Sequence, residues 1–272
     1  MAEGAQDFIH LAGVTKAFGD LVVFEGLDLA FERGLTTAII GPSGVGKSVL
    51  LKLLVGLVRP DSGTVRVFGT DMAQAGHDGL YRVRRRLGML FQDGALFDSL
   101  SVGENIAFPL VHHRKDLSDA ERRDRVDEVL EQVGLPGLAD RDTAALSGGQ
   151  RKRVGLARAI VHAPEVVLFD EPNSGLDPMT SDAIDDLIRQ MQEALGITFI
   201  VISHDIVGTL NVADRIGMLY GGRLVAYAPT TDFVRSEVAV VQRFLRRNVV
   251  LPSDPTAAAR LPALADLRAE EP

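Results

Sequence analysis

The fold of this 272-residue chain is decided by the stretch Gly41-Pro42-Ser43-Gly44-Val45-Gly46-Lys47-Ser48. The apolar run 35–40 before it predicts a buried strand, and the long side chains of residues 49–54 after it favour a helix. A strand, a glycine-rich turn and a helix in this order are the context that the phosphate-binding loop GxxxxGK[ST] requires. The stretch therefore predicts a nucleotide-binding α/β fold, and the alternative is a glycine-rich turn that binds nothing.

The residue types in this loop suit a phosphate ligand. Glycines let backbone N–H groups converge on phosphate oxygens where a Cβ would clash, and a helix N-terminus adds a favourable dipole. Lys47 is expected to reach the β- and γ-phosphates, and the Ser48 hydroxyl to ligate Mg²⁺. The predicted nucleotide contacts in this region are Gly41, Pro42, Ser43, Gly44, Val45, Gly46, Lys47, Ser48 and Val49.

Composition limits the class of protein. Hydrophobic residues make up 46% and charged residues 24%, as expected for a globular chain with a substantial core. The apolar runs stop short of the ~18 residues of a transmembrane helix, and residues 1–10 lack the pattern of a signal peptide. The absence of cysteine excludes disulfides, and a net charge of −8 argues against a general nucleic-acid binder. We predict a soluble, cytosolic α/β protein that binds no nucleic acid.

The pattern of apolar residues predicts three regions. Short strand-like runs at 8–11, 21–24 and 64–68 surround the phosphate loop. From about 94 to 162 the pattern becomes helical, with capping signals at Ser118 and Ser147. On the second of these helices, Val154, Ala157, Ile160 and Val161 are expected to form the apolar face, opposite Arg151, Lys152 and Arg153. Strand, helix and strand then alternate up to residue 202, which implies a parallel sheet with right-handed crossovers.

Two further candidates for chemistry follow strand-like runs. Asp170 and Glu171 end the run 166–169, where Asp170 is placed to hold Mg²⁺ and Glu171 to accept a proton from the attacking water. The alternative is a helix cap or a surface turn. His204 follows the run ending at Ile202 and is placed to hydrogen-bond the γ-phosphate or that water, although a lone histidine is more often structural. The pair His112-His113 has no further ligands at metal spacing and is interpreted as a solvated loop.

The stretch Leu146-Ser147-Gly148-Gly149-Gln150 resembles the signature of the ATP-binding cassette (ABC) transporter family, in its nucleotide-binding subunit. The resemblance covers about residues 8–240. The other matching elements, in chain order, are Phe18 as an adenine-stacking aromatic, Gln92 of the Q-loop, Asp170-Glu171 at the Walker B end, Ser174-Gly175-Leu176-Asp177 of the D-loop and His204 as the switch histidine.

This resemblance implies a P-loop NTPase core with a mostly parallel sheet, an N-terminal antiparallel β subdomain and an inserted α-helical subdomain at about 94–162. It implies a nucleotide-binding domain over 1–248, a C-terminal tail over 249–272, and Mg²⁺-dependent ATP hydrolysis. The implied catalytic residues are Lys47, Gln92, Glu171 and His204. The implied metal ligands are Ser48, Gln92 and Asp170. Phe18, Ser147, Gly148, Gly149, Gln150 and Asp177 are the further implied nucleotide contacts.

In this family the signature serves the nucleotide bound to a second copy of the protein. Ser147 and the N–H groups of Gly148 and Gly149 are suited to this because they form a second anion-binding helix start. The two glycines after the serine indicate a ligand rather than a helix cap alone. The resemblance therefore implies a head-to-tail dimer that encloses two ATP molecules.

Residues 91–102 and 105–110 are also similar to the ATPase of bacterial Mla-type phospholipid transporters, and so are residues 177–181 and 241–245. That group works with a membrane permease, MCE-domain proteins and small accessory proteins, which implies a peripheral position on the cytoplasmic face of the inner membrane. One departure is Gln150, where the group often has methionine. The alternatives are the ATPase of a small-solute importer, for example of amino acids, a non-transport ABC protein and a non-catalytic nucleotide-binding regulator.

Overall fold

The strands form two sheets in the computed structural model, which describes residues 8–92 and 94–248. The first sheet contains β1 (Ile9–Phe18), β2 (Leu21–Phe31), β4 (Ser62–Val67) and β5 (Thr70–Asp71). The second contains β3 (Thr36–Ile40), β6 (Leu87–Leu90), β7 (Val166–Asp170), β8 (Thr198–Ile202), β9 (Arg215–Tyr220) and β10 (Arg223–Pro229). Their orders are β2-β1-β4-β5 and β10-β9-β3-β8-β7-β6.

The first sheet is antiparallel throughout, which confirms the predicted N-terminal β subdomain. Its two long strands extend well beyond the short runs predicted at 8–11 and 21–24. The pairing is interrupted near Gly13 and Gly26, whose φ values of 58° and 67° are typical of bulges. These bulges break the alternation of polar and apolar residues, so the sequence pattern showed only one part of each strand.

The second sheet carries the core of the fold. Strands β9, β3, β8, β7 and β6 pair in parallel, while β10 returns antiparallel after the turn Gly221-Gly222. Every residue of β3 and β8 is buried, because helices of the α3–α7 group pack on one face of the sheet and the antiparallel sheet with α1 packs on the other. This arrangement confirms the predicted mostly parallel core. It also aligns the carboxyl ends of β3, β7 and β8 along one edge.

The helices are α1 (Lys47–Leu54), α2 (His77–Arg84), α3 (Val102–His113), α4 (Asp119–Gln132), α5 (Gly148–Ile160), α6 (Pro178–Leu195), α7 (Ile206–Val212), α8 (Thr230–Phe233) and α9 (Ala239–Asn248). Three of them, α3 to α5, follow one another between β6 and β7, as expected for an inserted helical segment. No helix in the described part of the chain is long and apolar enough to cross a membrane. The predicted tail, 249–272, lies outside the described residues.

Two local interpretations of the helical segment were wrong. His112 and His113 are the last residues of α3 and not part of a loop, and the His113 ring lies 5.9 Å from that of His162. On α5, Lys152 is only 4% exposed although its neighbours suggested a solvated face. The reason is that α5 packs against β6 on one side and against α3 on the other, so little of its surface reaches solvent.

Candidate nucleotide-binding site

The phosphate loop connects β3 to α1, and its backbone requires glycine at two positions. Gly41 has a φ of 151°, and a Cβ there would lie 2.4 Å from the carbonyl oxygen of Leu219. Gly46 has a φ of 106°, and its Cβ would lie 2.4 Å from Cγ1 of Val23. A side chain at either position would push the loop away from the sheet. The glycines therefore serve packing as well as close approach to a ligand.

The start of α1 is open to an anion. Its N-cap residue, Gly46, has no side chain to accept a hydrogen bond, so the first N–H groups of the helix keep their donor capacity. Lys47 is 6% exposed, and its Nζ donates to the carbonyl oxygens of Gly41 at 2.9 Å and Pro42 at 3.2 Å. Burial lowers the pKa of Lys47, while the charges of Glu171 and Asp170 raise it in part. The ammonium group is thus held over the loop.

The end of β7 brings a carboxylate to this loop. The hydroxyl of Ser48 donates to Oδ1 of Asp170 at 3.1 Å, so two of the three predicted metal ligands meet. Burial raises the pKa of Asp170, and the hydrogen bond from Ser48 opposes that shift. These two oxygen ligands suit Mg²⁺, which commonly takes its other ligands from phosphate and water. Nowhere in ranges 8–92 and 94–248 do three or more His, Cys, Asp or Glu residues cluster as a metal site.

Glu171 and His204 form a close pair at the ends of β7 and β8. Nδ1 of His204 lies 2.6 Å from Oε2 of Glu171. The backbone of Glu171 has a φ of 52°, in the left-handed region, and its N–H donates to the carbonyl oxygen of Ile202 at 2.9 Å. A non-glycine residue in this region costs about 1 kcal/mol or more, so surrounding contacts must hold it there. The structure thus fixes the direction of this carboxylate.

Other predicted site residues lie apart from the Ser48–Asp170 pair. Nε2 of Gln92 donates to the Ser174 hydroxyl at 3.0 Å, and among the described hydrogen bonds none joins Gln92 to Ser48 or Asp170. Asp177 caps α6, accepting from the N–H of Thr180 at 3.0 Å and from its hydroxyl at 2.6 Å. Phe18 is 48% exposed at the tip of the β1–β2 hairpin.

The signature stretch begins α5 with a complete capping box. Oγ of Ser147 accepts from the N–H of Gln150 at 3.3 Å, and Oε1 of Gln150 accepts from the N–H of Ser147 at 3.0 Å. This leaves the N–H groups of Gly148 and Gly149 as the open donors of the helix start. The need for two glycines is partly one of packing, because a Cβ at Gly149 would lie 2.6 Å from Cγ2 of Thr180. Within the described residues, no hydrogen bond joins this stretch to the phosphate loop.

A buried polar cluster links the two loops that follow β7 and β8. Nδ2 of Asn173 donates to Oδ1 of Asp185 at 2.8 Å and to Oδ2 of Asp205 at 3.4 Å. Asp185 lies on α6 and is 4% exposed. Burial raises its pKa to about 7, and the charges of Asp205, Asp182 and Asp186 act in the same direction against the Asn173 hydrogen bond. The polar cluster of Asn173, Asp185 and Asp205 therefore favours the protonated form of the Asp185 carboxyl.

The fold and the site together define a P-loop ATPase. A parallel sheet delivers the phosphate loop, a Ser–Asp ligand pair and a Glu–His pair to one edge, and a second helix start lies elsewhere on the chain. The family model of the ABC transporter matches residues 24–174. The chain belongs to that family, and it is an ATP-binding ATPase of ABC transporters.

Relatives and solved structures agree with this assignment. The chain is 40% identical over 244 residues to the probable ribonucleotide transport ATP-binding protein mkl of Mycobacterium leprae, covering 90% of this chain and 70% of that protein. It is 39% identical over 241 residues to the intermembrane phospholipid transport system ATP-binding protein MlaF of Haemophilus influenzae, covering 89% and 91%. A dimeric ATP-binding cassette, MJ0796, with bound ADP and phosphate superposes with a TM-score of 0.75 at 32% identity, covering 82% and 99%.

Sequence reasoning missed two residues next to the site. Lys152 was assigned to a solvated face because it lies within a run of basic residues, and Asp185 lies unremarked within a polar stretch of α6. The only signal for Asp185 is its position one residue after Ile184, at the margin of the apolar stripe of an amphipathic helix. Both are buried through contacts between elements that are far apart in the chain.

We expect the charge of Asp185 to make stability depend on pH. The pKa of Asp185 in the folded protein, about 7, lies above the ordinary 3.8, so folding favours the protonated carboxyl. The contribution of Asp185 to the free energy of unfolding is therefore complete below about pH 4. That contribution is lost as the pH rises to about 7. Asp185→Asn should therefore raise the free energy of unfolding at about pH 8 by up to roughly 4 kcal/mol, with the gain shrinking toward pH 4. Urea denaturation across this range measures it.

Glu193→Gln is the matched control, because Glu193 is an exposed acid on α6 that is not among the charges acting on Asp185. It should change the free energy of unfolding little at any pH. An equal gain at pH 4 and pH 8 for Asp185→Asn would contradict a buried acid that gains its charge in the folded state.

Proposed function

We propose that this chain is the ATP-hydrolysing subunit of a transporter that moves phospholipid between bacterial membranes. The observation that carries the catalytic part is the Glu171–His204 pair, at 2.6 Å, on the sheet edge that also holds the phosphate loop. The cargo assignment rests on the similarity to the phospholipid transport ATPase MlaF over 91% of that protein's length. In this proposal residues 1–248 form one nucleotide-binding domain, followed by a tail.

The chain's own groups support hydrolysis of ATP at this edge. Lys47 and the N–H groups at the start of α1 hold the phosphates, and Ser48 and Asp170 hold Mg²⁺. Mg²⁺ bound there would neutralise charge on the phosphate oxygens. Glu171 accepts a proton from the attacking water. At the same time the water oxygen bonds to the γ-phosphorus, and the bond from that phosphorus to the ADP oxygen breaks. His204 holds the carboxylate of Glu171 toward that water.

The signature helix start requires a second copy of the chain for its role. Gly148 and Gly149 keep open N–H donors, and no described hydrogen bond joins this stretch to the phosphate loop of the same chain. Two copies arranged head to tail enclose two ATP molecules, each between Lys47 of one copy and the Ser147 helix of the other. Phosphate charge then holds the dimer together because both sides supply donors. Gln92, Asp177 and Phe18 contact the nucleotide in this head-to-tail dimer.

An apolar groove supplies the surface for a permease. Its cavity of about 680 Å³ is lined by Tyr81, Leu87, Gly88, Met89, Phe91, Ala95, Phe97, Phe108, Pro109, His112, His113, Arg158, Ala159 and His162. Burial lowers the pKa of His162 to about 4 and also lowers that of His113, so both imidazoles are neutral at pH 7. A cytoplasmic segment of the permease with apolar side chains fits this groove. Docking there places the chain peripherally on the cytoplasmic face of the inner membrane.

A small-solute transporter is the second candidate. The observation in its favour is the relative from Mycobacterium leprae, which is 40% identical and is named for ribonucleotide transport. The catalytic site is the same in both cases, because cargo is selected by the permease and its partners. MCE-domain proteins and small accessory proteins are the partners expected for phospholipid transport only.

The variant Glu171→Gln tests the catalytic base. We expect turnover to fall by roughly 10²–10⁴-fold, since the amide cannot accept the proton, while ATP remains bound. Steady-state phosphate release and nucleotide binding measure the two quantities. Glu193→Gln, an exposed glutamate on α6, is the control and should keep normal turnover. Hydrolysis by Glu171→Gln at the wild-type rate would show that another group is the base.

Mixing two inactive variants tests the shared site. Lys47→Ala removes the phosphate contact, and Gly148→Asp places a negative charge at the other half, where Asp also suits the start of a helix. Each variant alone should be inactive, but a mixed dimer contains one intact site, so an equal mixture should recover roughly a quarter of wild-type turnover. The hydrolysis rate of the wild-type protein should also rise faster than linearly with its concentration when dilute. A mixture as inactive as its components would count against a shared site.

Purification from bacterial membranes tests the cargo and the groove. We expect a permease, MCE-domain partners and bound phospholipid to co-purify with the chain and to be identified by mass spectrometry. Phe108→Ala should reduce this recovery, because Phe108 is 39% exposed in the groove and its ring lies 4.7 Å from that of Phe97. Leu57→Ala, an exposed apolar residue outside the groove, is the control. A permease recovered with neither phospholipid nor MCE-domain partners would favour small-solute transport.

A further inference from the structure

We infer that Lys152 is a positioning residue that holds the backbone of Glu171 in the conformation needed for hydrolysis and ties it to the Q-loop. The inference rests on the proposed role of Glu171 as the catalytic base. It gives α5, the helix that begins at the signature, a direct physical connection to the catalytic centre of the same chain.

The contacts of Lys152 reach both segments. Its Nζ donates to the carbonyl oxygen of Gln92 and, at 3.3 Å, to the carbonyl oxygen of Glu171. These carbonyls lie just beyond the ends of β6 and β7, which are adjacent parallel strands. Burying an ammonium group is unfavourable unless it is hydrogen-bonded, and carbonyl oxygens provide that compensation. Lys152 therefore has a strong tendency to keep the two segments together.

The backbone of Glu171 needs such support. Its φ of 52° is unfavourable for a residue with a side chain, and Pro172 restricts the preceding residue further. The N–H of Glu171 is held by the carbonyl oxygen of Ile202 on β8. Its carbonyl oxygen accepts from Nζ of Lys152. With both peptide groups anchored, the direction in which the side chain leaves the backbone is fixed, and the carboxylate meets His204 at 2.6 Å.

Loss of the Lys152 contact should act on catalysis and not on ATP binding. Freeing the carbonyl of Glu171 lets the peptide between Glu171 and Pro172 rotate and moves the carboxylate away from the attacking water. Misplacement of a catalytic group by about 1 Å can cost on the order of 10²-fold in rate. Lys47 and Ser48 hold the phosphates through contacts that do not include Lys152. The dissociation constant for ATP should therefore stay the same.

The experiment measures single-turnover hydrolysis, ATP affinity and melting temperature for Lys152→Met in the full chain, with Glu171 intact and with Glu171→Gln. Lys152→Gln is the conservative variant, because its amide keeps two N–H donors that lie one bond nearer the backbone than Nζ. It also serves as the test variant if the methionine chain does not fold. Arg153→Met is the matched control, since the guanidinium of Arg153 donates to the carbonyl oxygen of Val133 within the helical segment.

With Glu171 intact, we expect Lys152→Met to lower the rate by about 10–100-fold at unchanged ATP affinity, with partial recovery in Lys152→Gln. With Glu171→Gln, the same change should have no further effect, because the base through which it acts is gone. Equal losses in both backgrounds, a loss matched by Arg153→Met, or a wild-type rate would each overturn the inference. A wild-type rate for Glu171→Gln alone would instead overturn the proposed base, so the two failures are distinguishable.

Discussion

Parallel pairing of β3, β8 and β7 is the constraint on which the site depends. Because these strands run in the same direction, their carboxyl ends meet at one edge and deliver Lys47, Asp170 and His204 from three distant parts of the sequence. Burial of the strands on both faces fixes their register, since each must align its apolar side chains with helices on one face and with the antiparallel sheet and α1 on the other. The Ser48–Asp170 and Glu171–His204 contacts are consequences of that register.

Backbone geometry contributes as much to the site as the charged groups do. Gly41 and Gly46 adopt conformations and close contacts that exclude a side chain, and Glu171 holds a left-handed conformation despite having one. Such positions are unfavourable locally and persist only where the surroundings determine them. Here both sheets hold these positions, the parallel one through Leu219 and Ile202 and the antiparallel one through Val23. The core therefore acts on function by holding peptide groups in place.

The helical segment contacts the sheet and its loops through buried cationic side chains as well as through apolar packing. The guanidinium of Arg158 donates to the carbonyl oxygens of Gly94 and Ala95, and Lys152 contacts those of Gln92 and Glu171. Both cations lie on α5 and both bind the backbone around the loop that follows β6. The groove proposed for the permease includes Arg158 and lies beside the same loop. Lys152 thus connects that loop to the backbone of Glu171, the proposed catalytic base.

The sequence by itself determined the family, the phosphate loop and the alternation of strand and helix. It also determined that Asp170, Glu171 and His204 lie where two strands end. Those features depend on local spacing, which one chain displays directly. Only the tertiary structure showed that Glu171 meets His204, that Asp177 caps α6, that Gly149 packs against Thr180, and that Lys152 and Asp185 are buried. The physical reason is that burial and contact at these positions come from elements distant in sequence, and a basic or acidic residue has the same local pattern whether it is solvated or enclosed.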